Sequence, residues 1–322
     1  MKILLPNLVL AILFFFTFSD IHSQESEVLR YLNEISGKRI IAGQHNKEPN
    51  SDPDKWTQYI KETTGKYPAL WSGDFLFQQE NIDERWRMVH QAKEQWDNGA
   101  IINLMWHACP PDQGEPCEWD PGLLNAQLTD LQWEELLTEG SNLNNNWIAR
   151  MDEISIYLQY LEDEGIEVLF RPFHEMNQGL FWWAGRPGPK GTAALYRFTH
   201  DYLSKTKGLT NLVWVWDMQD MSWDFEDYNP GDGYWDVFAF DIYDQGYDIS
   251  WYNYILTIVG DKPMAIGECS KLPEVSVLEN QKRWVFFMPW AELVKESNTE
   301  EQIIKTYEHQ RVITRDEMPG WE

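Results

Sequence analysis

The chain is predicted to fold as one (β/α)8 TIM barrel. Three observations predict it: eight short apolar runs, helix-like stretches between most of them, and no repeat or low-complexity linker after residue 24. The runs are 39–45, 67–74, 100–107, 167–175, 212–217, 237–243, 263–268 and 284–290. Near-continuous apolar runs of this length suit strands covered on both faces, as in parallel sheets. Helical spacing of apolar residues marks 54–64, 80–98, 146–164, 191–207, 251–259 and 299–310. Gly99 and Gly165 stand where two of these helices would stop. An open doubly wound sheet is the competing architecture. It would show a Gly-rich phosphate turn after the first strand, and here that turn reads Gly43-Gln44-His45-Asn46.

Composition narrows the function. With 52 Asp and Glu against 26 Lys and Arg, the formal net charge is −26. No basic stripe is present to track phosphates, so nucleic acid is not an expected partner. An anionic membrane surface would repel the chain for the same reason. Apolar residues make up 43% of the sequence, which is ample for a core and argues against disorder. The count of 18 Trp exceeds what core packing ordinarily needs.

Residues 1–23 read as a secretory signal: Lys2, the apolar run 4–18, then the more polar Ser19-Asp20-Ile21-His22-Ser23. The catalytic barrel is then residues 24–322, exported outside the cell or to the periplasm. It is expected to act as a monomer and, once the signal is cleaved, off the membrane. In an oxidising compartment Cys109 and Cys117, flanking a Pro/Gly-rich stretch, could form a local disulfide. Cys269 is left over, within an apolar strand-like segment, and is expected to be a buried small side chain.

In such a barrel the chemistry sits at the C-terminal ends of the strands. The eight runs end in His45, Asp74, His107, Glu175, Asp217, Tyr243, Glu268 and Trp290. Glu175 and Glu268 are two acids of equal length on runs four and seven, facing each other across a closed mouth. Paired carboxylates across a cleft are the apparatus of glycoside hydrolysis. Arg171 shares strand parity with Glu175 and should point inward, where it would favour the ionised form of a nearby carboxylate. Tyr243 could donate its hydroxyl to Glu268. Trp71, Trp106, Trp182, Trp183, Trp214, Trp216 and Trp290 lie at or beside strand ends. Together they suggest indole platforms for the C–H faces of sugars, with Asp74 and the His side chains serving the hydroxyls.

The run Arg171-Pro-Phe-His-Glu-Met-Asn177, trailed by Phe181-Trp182-Trp183, resembles glycoside hydrolase family 26, mostly β-mannanases. Gly43-Gln44-His45-Asn46, Gly73-Asp74, Trp106-His107, 240–243 and 262–268 with Leu272-Pro273 also fit. The resemblance implies a retaining mechanism with Glu175 as acid/base and Glu268 as nucleophile. It implies that His107 and His174 hold the reacting sugar and that Trp290 is a platform beneath it. No cofactor or metal is implied. The resemblance also implies a β-1,4-mannan as the polysaccharide partner, with β-1,3-xylan or mixed-linkage β-glucan as alternatives. One departure stands out: many family mannanases read Asn-Gly-x-Trp after the acid/base, and here Asn177-Gln178-Gly179-Leu180 occurs, with Leu in place of a cleft-wall Trp.

Two rivals compete. Zn²⁺ could bind His45, His107 and His174, yet the first strand lacks His-x-His and position 178 is Gln rather than the second His of a His-Glu-x-x-His helix. A catalytically dead, polysaccharide-binding barrel would not need both carboxylates.

Overall fold

The computed structural model describes residues 26–321. The signal expected at 1–23 lies outside the described residues. Eight parallel strands form the barrel: β1 (Ile40–His45), β2 (Leu70–Phe75), β3 (Ile101–Trp106), β4 (Val168–Arg171), β5 (Leu212–Gln219), β6 (Val237–Ile242), β7 (Met264–Cys269) and β8 (Trp284–Pro289). Pairing runs in chain order from β1 to β8, and β8 pairs back onto β1, so the sheet closes. A two-residue ninth strand, β9 (Val312–Ile313), pairs with the start of β1. The apolar runs became strands because each is buried on both sides, by the barrel interior and by the surrounding helices.

The expected helices are present with shifted ends. The stretch 80–98 is two helices, Gln79–Asp83 and Arg85–Asp97, because Glu84 leaves helical geometry at φ −104°, ψ 12°. Just after the break, buried Arg85 bonds Glu115, Glu153 and the Leu76 carbonyl. The longest helix, Asn142–Asp163, starts on a Ser141 cap and is followed by Gly165 at φ 74°, a backbone that favours glycine. Helices Glu27–Ile35 and Asp130–Leu136 lie where no periodic pattern was evident. No helix of the described residues is long and apolar enough to cross a membrane.

The Trp side chains have a structural use that the sequence did not separate from sugar binding. Trp106 stacks on Trp147 of the longest helix, Trp214 meets Tyr196 and His200, and Trp284 meets Tyr252. Trp71 and Met88 both crowd Gly73, and Trp216 packs against Trp235. These indoles fill the seam between barrel and helices. Each buries roughly 150–250 Å², or about 4–6 kcal/mol at about 25 cal/mol per Å².

Candidate active site

A cleft of about 650 Å³ opens at the C-terminal ends of the strands, lined by His107, His174, Glu175, Glu268, Trp290, Trp119, Gln178 and Leu180 among others. Near its floor, Arg171 on β4 is fully buried and serves three acids. One guanidinium nitrogen donates to Asp217 at 2.6 Å and to Asp241 at 2.9 Å; the other donates to Glu268 and meets Met105 sulfur. The second oxygen of Glu268 accepts from the Tyr243 hydroxyl at 2.7 Å. Glu268 is thereby held by two donors, one at the end of β4 and one just past β6.

Gly267, directly before Glu268, makes this convergence possible. A Cβ there would sit 2.6 Å from Asp241 Oδ1 and 2.7 Å from Asp217 Oδ2, closer than real contacts allow.

Glu175 is not on β4, which ends at Arg171; it stands four residues further on, at φ 51°. A non-glycine residue in this left-handed region is strained by about 1–2 kcal/mol. Asp217 holds it there: its Oδ1 accepts the Glu175 N–H at 2.8 Å, and its carbonyl accepts the next N–H, of Met176. Asn177 locks the turn to β5 through the N–H and carbonyl of Gln219. The effect is to aim the Glu175 carboxyl across the mouth. One oxygen each of Glu175, Asp241 and Glu268 lies within 4.8 Å of the others.

Four carboxyls around one cation cannot all ionise at low dielectric. Burial and the nearby Glu268 push Glu175 up to about 8, opposed mainly by the Gln178 amide. Burial also raises Glu268, which stays above its usual value although Arg171 and Tyr243 oppose the shift. Asp241 is raised well above the usual range by burial. Burial opposes the charge of Arg171 too, yet Asp241, Asp217 and Glu268 hold its pKa well above the usual value. Glu268, with two donors, is thus the better site for the charge, and Glu175 for the proton.

The opposite side of the mouth is built of imidazoles. His107 Nδ1 pairs with Asp74 at 2.6 Å, and His45 Nδ1 with Ser72 at 2.8 Å. His45 stacks on Trp290, centroids 4.1 Å apart, and so backs that platform. Burial drives His45 down to about 3 and His174 well below its usual value, so both rings are neutral. Burial would raise Asp74, but His107 beside it brings it below its usual value. Asp74 does not reach the cleft; it fixes the His107 ring. The three imidazoles form no group of converging ligand atoms among the described residues.

Six of the seven platform expectations need correcting. Trp71, Trp106, Trp182, Trp183, Trp214 and Trp216 are buried and do not line the cleft. Trp182 donates to the Ala108 carbonyl, and Trp183 to the His174 carbonyl while stacking on Phe181. They support the wall from behind. Trp119, which the sequence reading passed over, is 48% exposed and lines the cleft beside Phe77. It sits just past the Cys109–Cys117 disulfide. Its segment is tied to the Leu180 turn, since Asn125 N–H bonds the Leu180 carbonyl and Trp182 N–H the Leu123 carbonyl. Asp217, Asp241 and Asn177 were likewise not assigned from sequence. Asp217 ends the fifth run and Asp241 lies within the sixth, but only the shared Arg171 reveals their use. Cys269 is free and buried.

A closed barrel whose mouth sets one Arg-anchored carboxylate against a raised one has the paired acids that glycoside hydrolases use. The comparisons narrow the class. The model for glycosyl hydrolase family 26 matches residues 19–317, and the chain belongs to that family. It is 32% identical over 307 residues to a mannan endo-1,4-beta-mannosidase of Thermothelomyces thermophilus, covering 91% of this chain and 61% of that protein. A GH26A structure from Muricauda sp. superposes with TM-score 0.86 at 32% identity, covering 90% of this chain and 95% of the other. A beta-mannanase from a symbiotic protist of the termite Reticulitermes speratus, solved with a gluco-manno-oligosaccharide, gives TM-score 0.78 at 29% identity, covering 90% and 93%. The chain spans 48–61% of the length of the first curated relatives it matches.

Proposed function

We propose that the protein is a secreted, monomeric endo-β-1,4-mannanase that works by retaining double displacement. The observation carrying this reading is the pair Glu175 and Glu268, within 4.8 Å and unequally hydrogen-bonded. Retaining enzymes hold such carboxyls about 5–5.5 Å apart, too close to admit the water an inverting enzyme places between them. Glu268 attacks the anomeric carbon while Glu175 protonates the departing oxygen. Glu175, now ionised, takes a proton from water as that water displaces Glu268. Trp290 and Trp119 offer ring faces to sugars, and His107 and His174 offer polar atoms beside the reacting ring. Mannan as the substrate is supported by the names of the relatives above. Export is supported by the sequence of residues 1–23 and by the Cys109–Cys117 disulfide.

A panel of linear mannan, galactomannan, glucomannan, β-1,3-xylan and mixed-linkage glucan tests substrate and mode. Internal cleavage of the mannans is expected, with the first-formed reducing end in the β configuration by NMR. Product only from xylan or mixed-linkage glucan would move the substrate and leave the mechanism. An α first product would overturn the mechanism. Binding without cleavage of any glycan would favour a non-catalytic barrel.

A further inference from the structure

The turn after Glu175 carries Gln178. Gln178 is buried, and its side-chain amide bridges two partners. Nε2 donates to Glu175 Oε2 at 2.7 Å, and Oε1 accepts from the Leu180 N–H at 2.5 Å. A backbone N–H can only donate, so Leu180 fixes the carbonyl end of the amide, and the NH2 end must face Glu175. The orientation is set by chemistry and not by choice between similar atoms.

This determines where the proton of neutral Glu175 can lie. Oε2 receives an N–H from a group that cannot accept one back. A proton on Oε2 would compete with that N–H. Oε1 has no hydrogen bond to a described residue, and Glu175 lines the cleft.

We propose that Gln178 is a positioning residue that confines the transferable proton of Glu175 to Oε1 and holds that oxygen toward the glycosidic bond. The inference rests on the acid/base reading of Glu175. In the first step the Oε1 proton passes to the leaving oxygen, the anomeric carbon–oxygen bond breaks, and the bond to Glu268 forms. In the second, water bonds to the anomeric carbon, the bond to Glu268 breaks, and the water's proton returns to Glu175 Oε1. Gln178 keeps donating to Oε2 throughout, which favours the carboxylate between the two steps. The other groups bearing on Glu175 are Glu268, Asp217, Asp241, Arg171 and Tyr243. Among these side chains and Gln178, only Gln178 hydrogen-bonds the Glu175 carboxyl.

Gln178→Leu and Gln178→Met remove the donor at similar volume, and their melting temperatures report whether the fold survives. The pH profile of kcat/KM on mannan should show its alkaline limb about one pH unit higher than wild type. On this poor leaving group kcat should fall about 10-fold. A dinitrophenyl glycoside, whose departure needs no acid, should form the glycosyl-enzyme at a nearly unchanged rate. An alkaline limb that stays put or moves down in a folded variant overturns the proposal. So does an equal loss on both substrates. If wild type cleaves no glycan, the acid/base reading fails, and infrared titration of Glu175 against Glu175→Gln separates the two ideas. An upward shift of that carboxyl in Gln178→Leu supports the positioning role, and no shift ends it.

Discussion

Between β4 and β7 the barrel mouth buries one guanidinium among four carboxyl groups; between β1 and β3 it buries two imidazoles around one carboxylate. The acid-rich side has more potential charge than Arg171 can neutralise, so it must retain protons. The imidazole side solves burial by leaving His45 neutral and tying His107 to Asp74. The difference teaches where a proton is available near neutral pH. It is on Glu175, not on His45, whose pKa is near 3, nor on His174. His174, which lines the cleft, can orient a sugar hydroxyl but is poorly suited to protonate a leaving group.

The comparison can be broken most directly at Glu268. Glu268→Ala should lower kcat on the order of 10⁴-fold or more. Added azide should restore turnover as a glycosyl azide of inverted configuration, seen by NMR. Wild-type-like activity without azide would end the assignment of the nucleophile.

Arg171→Met comes next. It strands Asp217, Asp241 and Glu268 without their cation, and should cost about 3–5 kcal/mol in urea unfolding at pH 7. The deficit should shrink at pH 5, because protons can replace the missing charge. An equal deficit at both pH values would mean that the cluster is not charge-limited.

Glu175→Gln reads the same excess through stability. The folded pKa of about 8 lies above the ordinary 4.5, so between these values the native state holds a proton that the unfolded chain releases. Wild type therefore loses stability as pH rises across this window. Glu175→Gln should melt a few degrees above wild type beyond pH 8, and the gap should close toward pH 4. A gap independent of pH would argue against a retained proton.

The smallest effect belongs to the imidazole side. Asp74→Asn should lower kcat/KM about 10-fold through a misplaced His107 ring, with the alkaline limb unmoved. A shifted limb would show that the two sides share a proton after all.

Much of the barrel was legible in sequence because burial on both faces writes an apolar run wherever a strand occurs, and all eight runs are strands. Glu175 and Glu268 were legible because each ends such a run, the two are acids of equal length, and a motif surrounds each. The Trp residues were not. A strand-borne Trp looks the same whether it faces the cleft or the helices, and Trp106, Trp214 and Trp284 face the helices. Trp119 escaped notice because 110–146 has no periodicity; a disulfide and contacts to the Leu180 turn place it instead. The Glu80–Asn98 helix gave no warning of its break at Glu84, since helical spacing persists across it.

In a saturation library of the cleft, most positions would tolerate a spread of side chains at varying rates. Codon 267 would behave differently. The space beside Gly267 is already taken by carboxylate oxygens of Asp217 and Asp241. Even alanine there would drive those acids off Arg171, so selection for activity should return a single residue at that codon. A directed-evolution campaign on this barrel can leave position 267 out and spend its diversity on the rim, at Trp119 and Leu180.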